Sequence, residues 1–235
     1  MNTEFEPTNT ATSERKWRAL TRAQRRVAGV LIEKSKTTPD VYPMTVNAIV
    51  TAANQKSNRS PLMQMEPEEV EATLDQLKRV GAVMEVQSDG RVPRFKHLLY
   101  DWFGVNRGEL AVLAELMLRG QQTLGELRAR TARMEDIADL QQLRPLVESL
   151  LQKELMLELT PPGRGQVVSH NLYQPDELDK VRRLVSSHAP SSDAIDSGGN
   201  QEVQPAGEFA DLEARIAELE RNFEALRQRV DAIES

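Results

Sequence analysis

The sequence predicts a mainly α protein with small β-ribbons (α+β), built as a duplicated unit followed by a C-terminal coiled-coil helix. Three observations lead there. The apolar pattern recurs after a shift of 73 residues; each copy passes from three helical periods into two strand-like segments; and residues 208–235 carry an uninterrupted heptad pattern. Under that shift Val70, Leu74 and Leu77 fall on Leu143, Val147 and Leu150, Val83 and Val86 on Met156 and Leu159, and Gly90-Arg91 on Gly163-Arg164. His97, Leu99 and Tyr100 fall on His170, Leu172 and Tyr173, so "HLLY" answers "HNLY". A register kept through a helix, a turn and a strand describes one supersecondary unit used twice.

In the first copy, Thr21 with Gln24 has the spacing of a capping box, and Val27, Val30 and Leu31 follow at helical spacing, predicting a first helix to about Lys36. Pro39 and Pro43 break it, because each lacks an amide donor and restricts the residue before it. A second helix is expected over 45–54 through Val46, Ile49 and Val50. Pro67 suits the first position of a third, whose buried stripe is Val70, Leu74 and Leu77 and which Gly81 stops. "AVMEV" and "RVPRFKHLLY" then read as strands joined around Ser88-Asp89-Gly90, a turn that exploits glycine's freedom at positive φ.

The second copy repeats the order. Asn106 with Glu109 caps its first helix, Thr123 with Glu126 its second, and the third runs over about 139–154; "LMLEL" and "VVSHNLY" flank the tip "PPGRGQ". Three helices followed by a two-stranded ribbon is the order of a winged helix, so the expectation is two tandem winged-helix domains, residues 21–103 and 104–188. The second should end in a short helix, "DELDKVRRLVSS", packed on it through Leu178, Val181 and Val185. Residues 1–20 read as a flexible N-terminal tail, and Trp17, Trp102 and Phe103 as packing residues, with "YDWFG" at the junction orienting the two units.

Residues 189–207, rich in Pro, Ser, Gly and acid, read as a flexible linker. Beyond it Phe209, Ile216, Phe223 and Val230 occupy heptad position a, and Leu212, Leu219, Leu226 and Ile233 position d. So narrow a seam prefers a partner helix to a globular face, and the simplest partner is a second copy, giving a homodimer through a coiled coil. In a parallel pair Arg215 meets Glu220 and Arg229 meets Glu234 while Glu208 and Glu213 repel, a mild preference for parallel strands.

Composition narrows the chemistry. The chain has no cysteine, which excludes thiol nucleophiles, disulfides and zinc ribbons, and together with a polar, acid-bearing start it points to a cytoplasmic protein. No apolar run approaches the ~20 residues that cross a bilayer, so no membrane partner is expected. The net charge of −6 belongs mostly to residues 189–235, where 11 acids face 4 bases, so the rest is near neutral and compatible with a local basic patch. No Gly-rich phosphate loop, helical His pair or Ser/His/Asp constellation stands out, so no catalytic residue, metal site or cofactor is assigned. His97 and His170 occupy equivalent strand ends and are read as sharing an architectural role, such as bonding the wing backbone.

The stretch "VLIEKSKTTPDVYPMTVNAIVTAANQKSNRSP", with "LRGQQTLGELRART" downstream, resembles the YceH-like family of bacterial proteins over roughly residues 21–173. The resemblance implies a tandem winged-helix fold and carries no catalytic residue with it.

In a winged helix the third helix commonly enters the major groove of DNA and the wing touches backbone. Here that helix carries Glu68, Glu69, Glu71 and Asp75 against Lys78 and Arg79, an acidic entrance that also serves the helix dipole. Binding would therefore rely on what surrounds it. The candidate contacts are Asn54, Gln55, Lys56, Ser57, Asn58 and Arg59 in the polar connection, Arg91, Arg94 and Lys96 in the first wing, and Arg164 in the second. The same polar residues are equally suited to bonding their own backbone. The second copy, with Glu135, Asp136 and Asp139 ahead of its third helix, reads as the weaker DNA partner. The expected function is a non-enzymatic DNA-binding protein, a regulator or chromosome-associated factor. The alternative is a scaffold whose winged helices clamp protein.

Overall fold

The computed structural model describes residues 17–87 and 92–186. The heptad segment, the linker, residues 1–16, the Ser88-Asp89-Gly90 turn and Arg91 lie outside the described residues; residues 17–20, expected in the flexible tail, are instead held to the fold, with Trp17 and Leu20 buried and the Leu20 N–H donating to the Leu172 carbonyl. The first repeat comprises α1 (Arg22–Thr37), α2 (Val46–Ala53), α3 (Pro67–Arg79), β1 (Val83–Val86) and β2 (Arg94–His97). A short helix, α4 (Leu99–Phe103), leads into the second: α5 (Arg107–Arg119), β3 (Gln122–Thr123), α6 (Leu124–Thr131), α7 (Leu140–Gln152), β4 (Met156–Glu158) and β5 (Val167–His170), with α8 (Pro175–Ser186) closing the described chain. The protein is thus α+β, mainly helical with small antiparallel sheets.

The helix starts follow local chemistry. Thr21, Asn106 and Thr123 each accept a bond from the backbone N–H three residues on, while Gln24, Glu109 and Glu126 reach back to the cap's own N–H, closing three capping boxes. Thr45 and Asp139 cap α2 and α7 from one side only. Pro67 occupies the first turn of α3, where its missing donor costs no helical bond.

The duplicated register holds in the sheets. Val83 pairs with His97 and Met156 with His170, the same two positions of the repeat. Phe95 and Val168 are likewise equivalent: Met44 bridges to Phe95, and Gln122 pairs with Val168, so each ribbon accepts a further stretch of chain from just ahead of the second helix. In the second repeat this stretch is long enough to count as a strand, giving the order β3-β5-β4.

One expectation fails at the ribbon's exit. "RVPRFKHLLY" reads as strand to Tyr100, but the strand ends at His97 and Leu99–Phe103 is helical. The cause is packing: Leu99, Trp102 and Phe103 are buried together, the Trp102 indole donates to the Val80 carbonyl at 3.0 Å, and Gly104 at φ 65° stops the turn in a left-handed conformation. The residues expected to pack at the junction do so, from a helix.

The larger correction concerns the core. Two small cores were expected; buried side chains from Trp17 to Leu172 form one continuous cluster. α1 is buried from Arg25 to Glu33 and α5 from Glu109 to Leu118, as central helices rather than surface ones. They meet at Gly29, where a Cβ would lie 2.9 Å from Leu118 Cγ, so the missing side chain permits the close approach. Each repeat keeps its own helices and ribbon, and they share one interior. The first turn of α8 is also tied to the first repeat, where Glu177 receives two 2.8 Å bonds from Arg25 of α1; Leu178 and Val181 are half-buried, and the Val185 side chain lies outside the described residues.

Candidate nucleic-acid interface

The connection between α2 and α3 is a folded knot. Asn54 caps α2 and clasps the far end of the loop, donating from Nδ2 to the Met65 carbonyl (2.9 Å) and accepting from the Met65 N–H at Oδ1 (2.8 Å). Asn58 takes a left-handed conformation at φ 58°, which asparagine tolerates. Arg59 turns inward, with its side chain fully buried. Its five N–H donors are all used: Nε to the Ala52 carbonyl, one terminal nitrogen to Glu33 and the Asn58 carbonyl, the other to Glu33 and Gln55 Oε1. None remains for a phosphate, so Arg59 is corrected from a nucleic-acid contact to a structural ion pair. Asn54 and Gln55 are likewise committed to holding the loop. Of the predicted contacts in this loop, Lys56 and Ser57 are the ones that stand exposed.

The other candidates divide. Arg94 donates to the Pro43 carbonyl at 2.8 Å and braces the bridge to Met44. Lys96 is half-buried on β2, and Arg164 is exposed at the tip of the second ribbon between Gly163 and Gly165. On α3, Glu68, Glu69, Glu71 and Asp75 all face solvent, whereas Lys78 is drawn to Asp75 and Glu85, each at 3.0 Å. On α7 the exposed residues include Gln141, Arg144, Glu148 and Gln152. The repeat read as the weaker candidate therefore has the less acidic third helix, because the acids ahead of α7 lie in its preceding loop.

Burial of Arg59 belongs to a ring of charge that sequence spacing does not show. Glu33 accepts from Arg59 and from Arg133; Arg133 also binds Glu115 at 2.9 Å; Glu115 pairs with Arg119 at 3.1 Å; and Arg119 donates to the Asn58 side chain, beside Arg59. Glu33 and Asn58 come from the first repeat, Glu115, Arg119 and Arg133 from the second. Burial pushes the Glu33 carboxyl up, but the hydrogen bonds and charges of Arg59 and Arg133 outweigh it and hold its pKa below the ordinary value.

The two histidines perform one backbone task. Nδ1 of His97 accepts from the Leu99 N–H and Nδ1 of His170 from the Leu172 N–H, each just past its strand rather than at the wing tip. Burial, with Lys36 nearby, pulls the His97 pKa to about 4, and burial with Arg25 nearby holds His170 well below 6.5, so both rings are neutral at pH 7. His97 Nε2 lies 3.2 Å from Ser35 Oγ beside a cleft of about 550 Å³, which invites comparison with a nucleophile and its base. The proton inventory opposes it. With Nδ1 accepting, Nε2 of the neutral ring carries the hydrogen and donates to Ser35, whose own hydroxyl is spent on the Ile32 carbonyl at 2.7 Å. Among the described residues no group of three His, Asp or Glu is placed to hold a metal, and no helix is long and apolar enough to cross a membrane.

Fold and site thus describe an α+β protein of two equivalent helix-and-ribbon units joined through a buried charge ring. A family model described as "Protein of unknown function, DUF480" matches residues 20–164, and the chain belongs to that family. It is 45% identical over 193 residues to a UPF0502 protein of Rhodopirellula baltica, covering 80% of this chain and 81% of that one. A UPF0502 protein of Geobacter sulfurreducens is 40% identical over 199 residues, covering 83% of this chain and 87% of its own. One from Xanthomonas campestris is 38% identical over 216 residues, covering 91% and 95% respectively.

Proposed function

We propose that the chain is a non-enzymatic protein-docking scaffold made of two winged-helix units with a common core. The order of three helices and a ribbon in both repeats, and the third strand that precedes α6, support the winged-helix reading, in line with the YceH-like resemblance. The observation that carries the choice of partner is the outward face of α3. Four carboxylates stand exposed there while Arg59 is buried and Arg94 and Lys78 are engaged within the protein. Such a face repels a phosphate backbone and suits a cationic protein surface, where charge complementarity steers encounter. The heptad run over 208–235 supports presenting two such scaffolds as a homodimer.

DNA remains the second reading, and one observation favours it: α7 exposes Gln141, Arg144 and Gln152, with Arg164 at the tip of the ribbon in the same repeat. Amide and guanidinium groups are the side chains that read adenine and guanine edges. Crosslinking in cells, paired with duplex titration of the purified chain, separates the two. Docking predicts protein partners whose recovery falls when Glu68, Glu69 and Glu71 are changed to Gln, and duplex affinity indifferent to Lys56→Ala. The reading is overturned by salt-sensitive duplex binding whose slope drops by about two phosphates in Arg144→Ala with Arg164→Ala.

A further inference from the structure

Where α1, the loop at Pro61 and the chain around Tyr173 and α8 converge, a groove of about 800 Å³ opens with more cations than its own acids neutralise. Two of its arginines are accounted for: Arg25 is bound to Glu177, and Arg119 to Glu115. Three cations are not. Arg22 and Lys180 are exposed and have no hydrogen-bond or ion-pair partner among the described residues. Arg26 is only 2% exposed, yet among the described residues donates solely to the Ala53 and Pro61 carbonyls, at 2.9 and 2.7 Å. Its Nε is buried without a partner, and no carboxylate lies within ion-pair distance of it among the described residues. Burial and the charges of Arg59 and Arg22 draw its pKa down to about 10, and the attraction of the more distant Glu33 carboxylate does not offset them.

The remaining lining favours a particular kind of anion. Met63, Met117 and the Tyr173 ring add apolar surface beside the cations. Of the two lining carboxylates, Glu177 is engaged by Arg25 and the Gln174 N–H, and Asp176 has no hydrogen bond or ion pair among the described residues. The first turn of α1 contains no acid, so the positive end of its dipole is left uncompensated on the same side. Guanidinium forks match phosphate oxygens, and the volume falls within the range of small-molecule sites.

We propose that this groove binds a small organic phosphate, its phosphate held by Arg22, Arg26 and Lys180 and its apolar part lying against Met63, Met117 and Tyr173. The site draws on α1, α5 and α8, so occupancy ties the two repeats and the last helix together. The inference is independent of whether the partner of α3 is a protein.

Calorimetric titration of the full chain with phenyl phosphate, inorganic phosphate and benzoate tests it. Phenyl phosphate is expected to bind saturably and raise the unfolding temperature, with the other two weaker because each lacks half of the recognition. Arg22→Ala with Lys180→Ala removes two exposed side chains that make no hydrogen bond or ion pair among the described residues and so spares the fold; it should weaken phenyl phosphate by about tenfold or more. Asp176→Asn should tighten it. Absence of saturable binding at millimolar phenyl phosphate, equal binding of inorganic phosphate, or binding unchanged in the double variant would each overturn the proposal.

Discussion

Arg133 and Glu33, one from each repeat, form an ion pair inside the protein, and Arg59 grips the same carboxylate through both of its oxygens. The repeats are therefore joined by charge as well as by the apolar contact of α1 with α5. Removing the shared acid strands the buried Arg59 guanidinium and takes from Arg133 one of its two carboxylate partners. Glu33→Gln should cost about 3 kcal/mol or more at pH 7, read from urea unfolding. The pH dependence fixes the sign. The folded pKa of Glu33 is depressed, so its contribution is complete above the unfolded value of about 4.3 and is lost as pH falls through the folded one. The gap between wild type and Glu33→Gln should accordingly close in strong acid.

The histidines act in a different window. His97 and His170 are neutral in the folded chain with pKa values pulled down, while in the unfolded chain they bind protons from about pH 6.5. As pH falls below 6.5 the unfolded state gains protons first, so stability declines, and the His97 part of the decline levels off near its folded value of about 4. The slope approaches about 1.4 kcal/mol per pH unit for each ring. Unfolding temperature measured from pH 7 to 5 should drop, and His97→Gln should flatten the curve. A His97 ring resonance that titrates with a midpoint near 6.5 in the folded protein would contradict this.

Much of the architecture was legible because it is written locally. The capping boxes at Thr21, Asn106 and Thr123 and the stripes Val70-Leu74-Leu77 and Leu143-Val147-Leu150 depend on spacings of three and four residues, which sequence displays directly. The site was much less legible. Lys56 and Arg59 look alike on the page, yet one is solvated and the other spends all five donors inside, because its partner Glu33 lies 26 residues earlier on a helix whose burial depends on the other repeat. The shared core escaped for the same reason. Arg25, Arg26 and Glu33 break the apolar pattern of α1 and disguise a helix buried on nearly every side. Unbroken burial over 109–118 had a visible signal in the near-continuous apolar run "LAVLAELML".

The proposed homodimer rests on the heptad positions and is separable from the rest. Truncation after Gly207 removes Phe209 through Ile233 and should convert the species seen by light scattering to monomer while leaving the unfolding transition of the remaining chain in place. Phe223→Asp should do the same within the full chain, because it puts a charge at the centre of the seam. A mass unchanged by either would place the contact between copies elsewhere.

Gly29 makes the sharpest packing prediction, because two opposing effects act at one atom. In an exposed helix, replacing Gly by Ala gains about 1 kcal/mol from propensity. Here the new methyl would sit 2.9 Å from Leu118 Cγ and 3.4 Å from Met117 Cβ, and Leu118 is fully buried with no room to turn away. Overpacking of this kind costs about 1–3 kcal/mol, so it outweighs the propensity gain and Gly29→Ala should destabilise. The contact is specific to the pair, which a double-mutant cycle exposes: in a Leu118→Ala background the clash is gone and the same change should be neutral or stabilising. If Gly29→Ala lost the same stability in both backgrounds, the close approach of α1 to α5 at this point would not be what holds the repeats together.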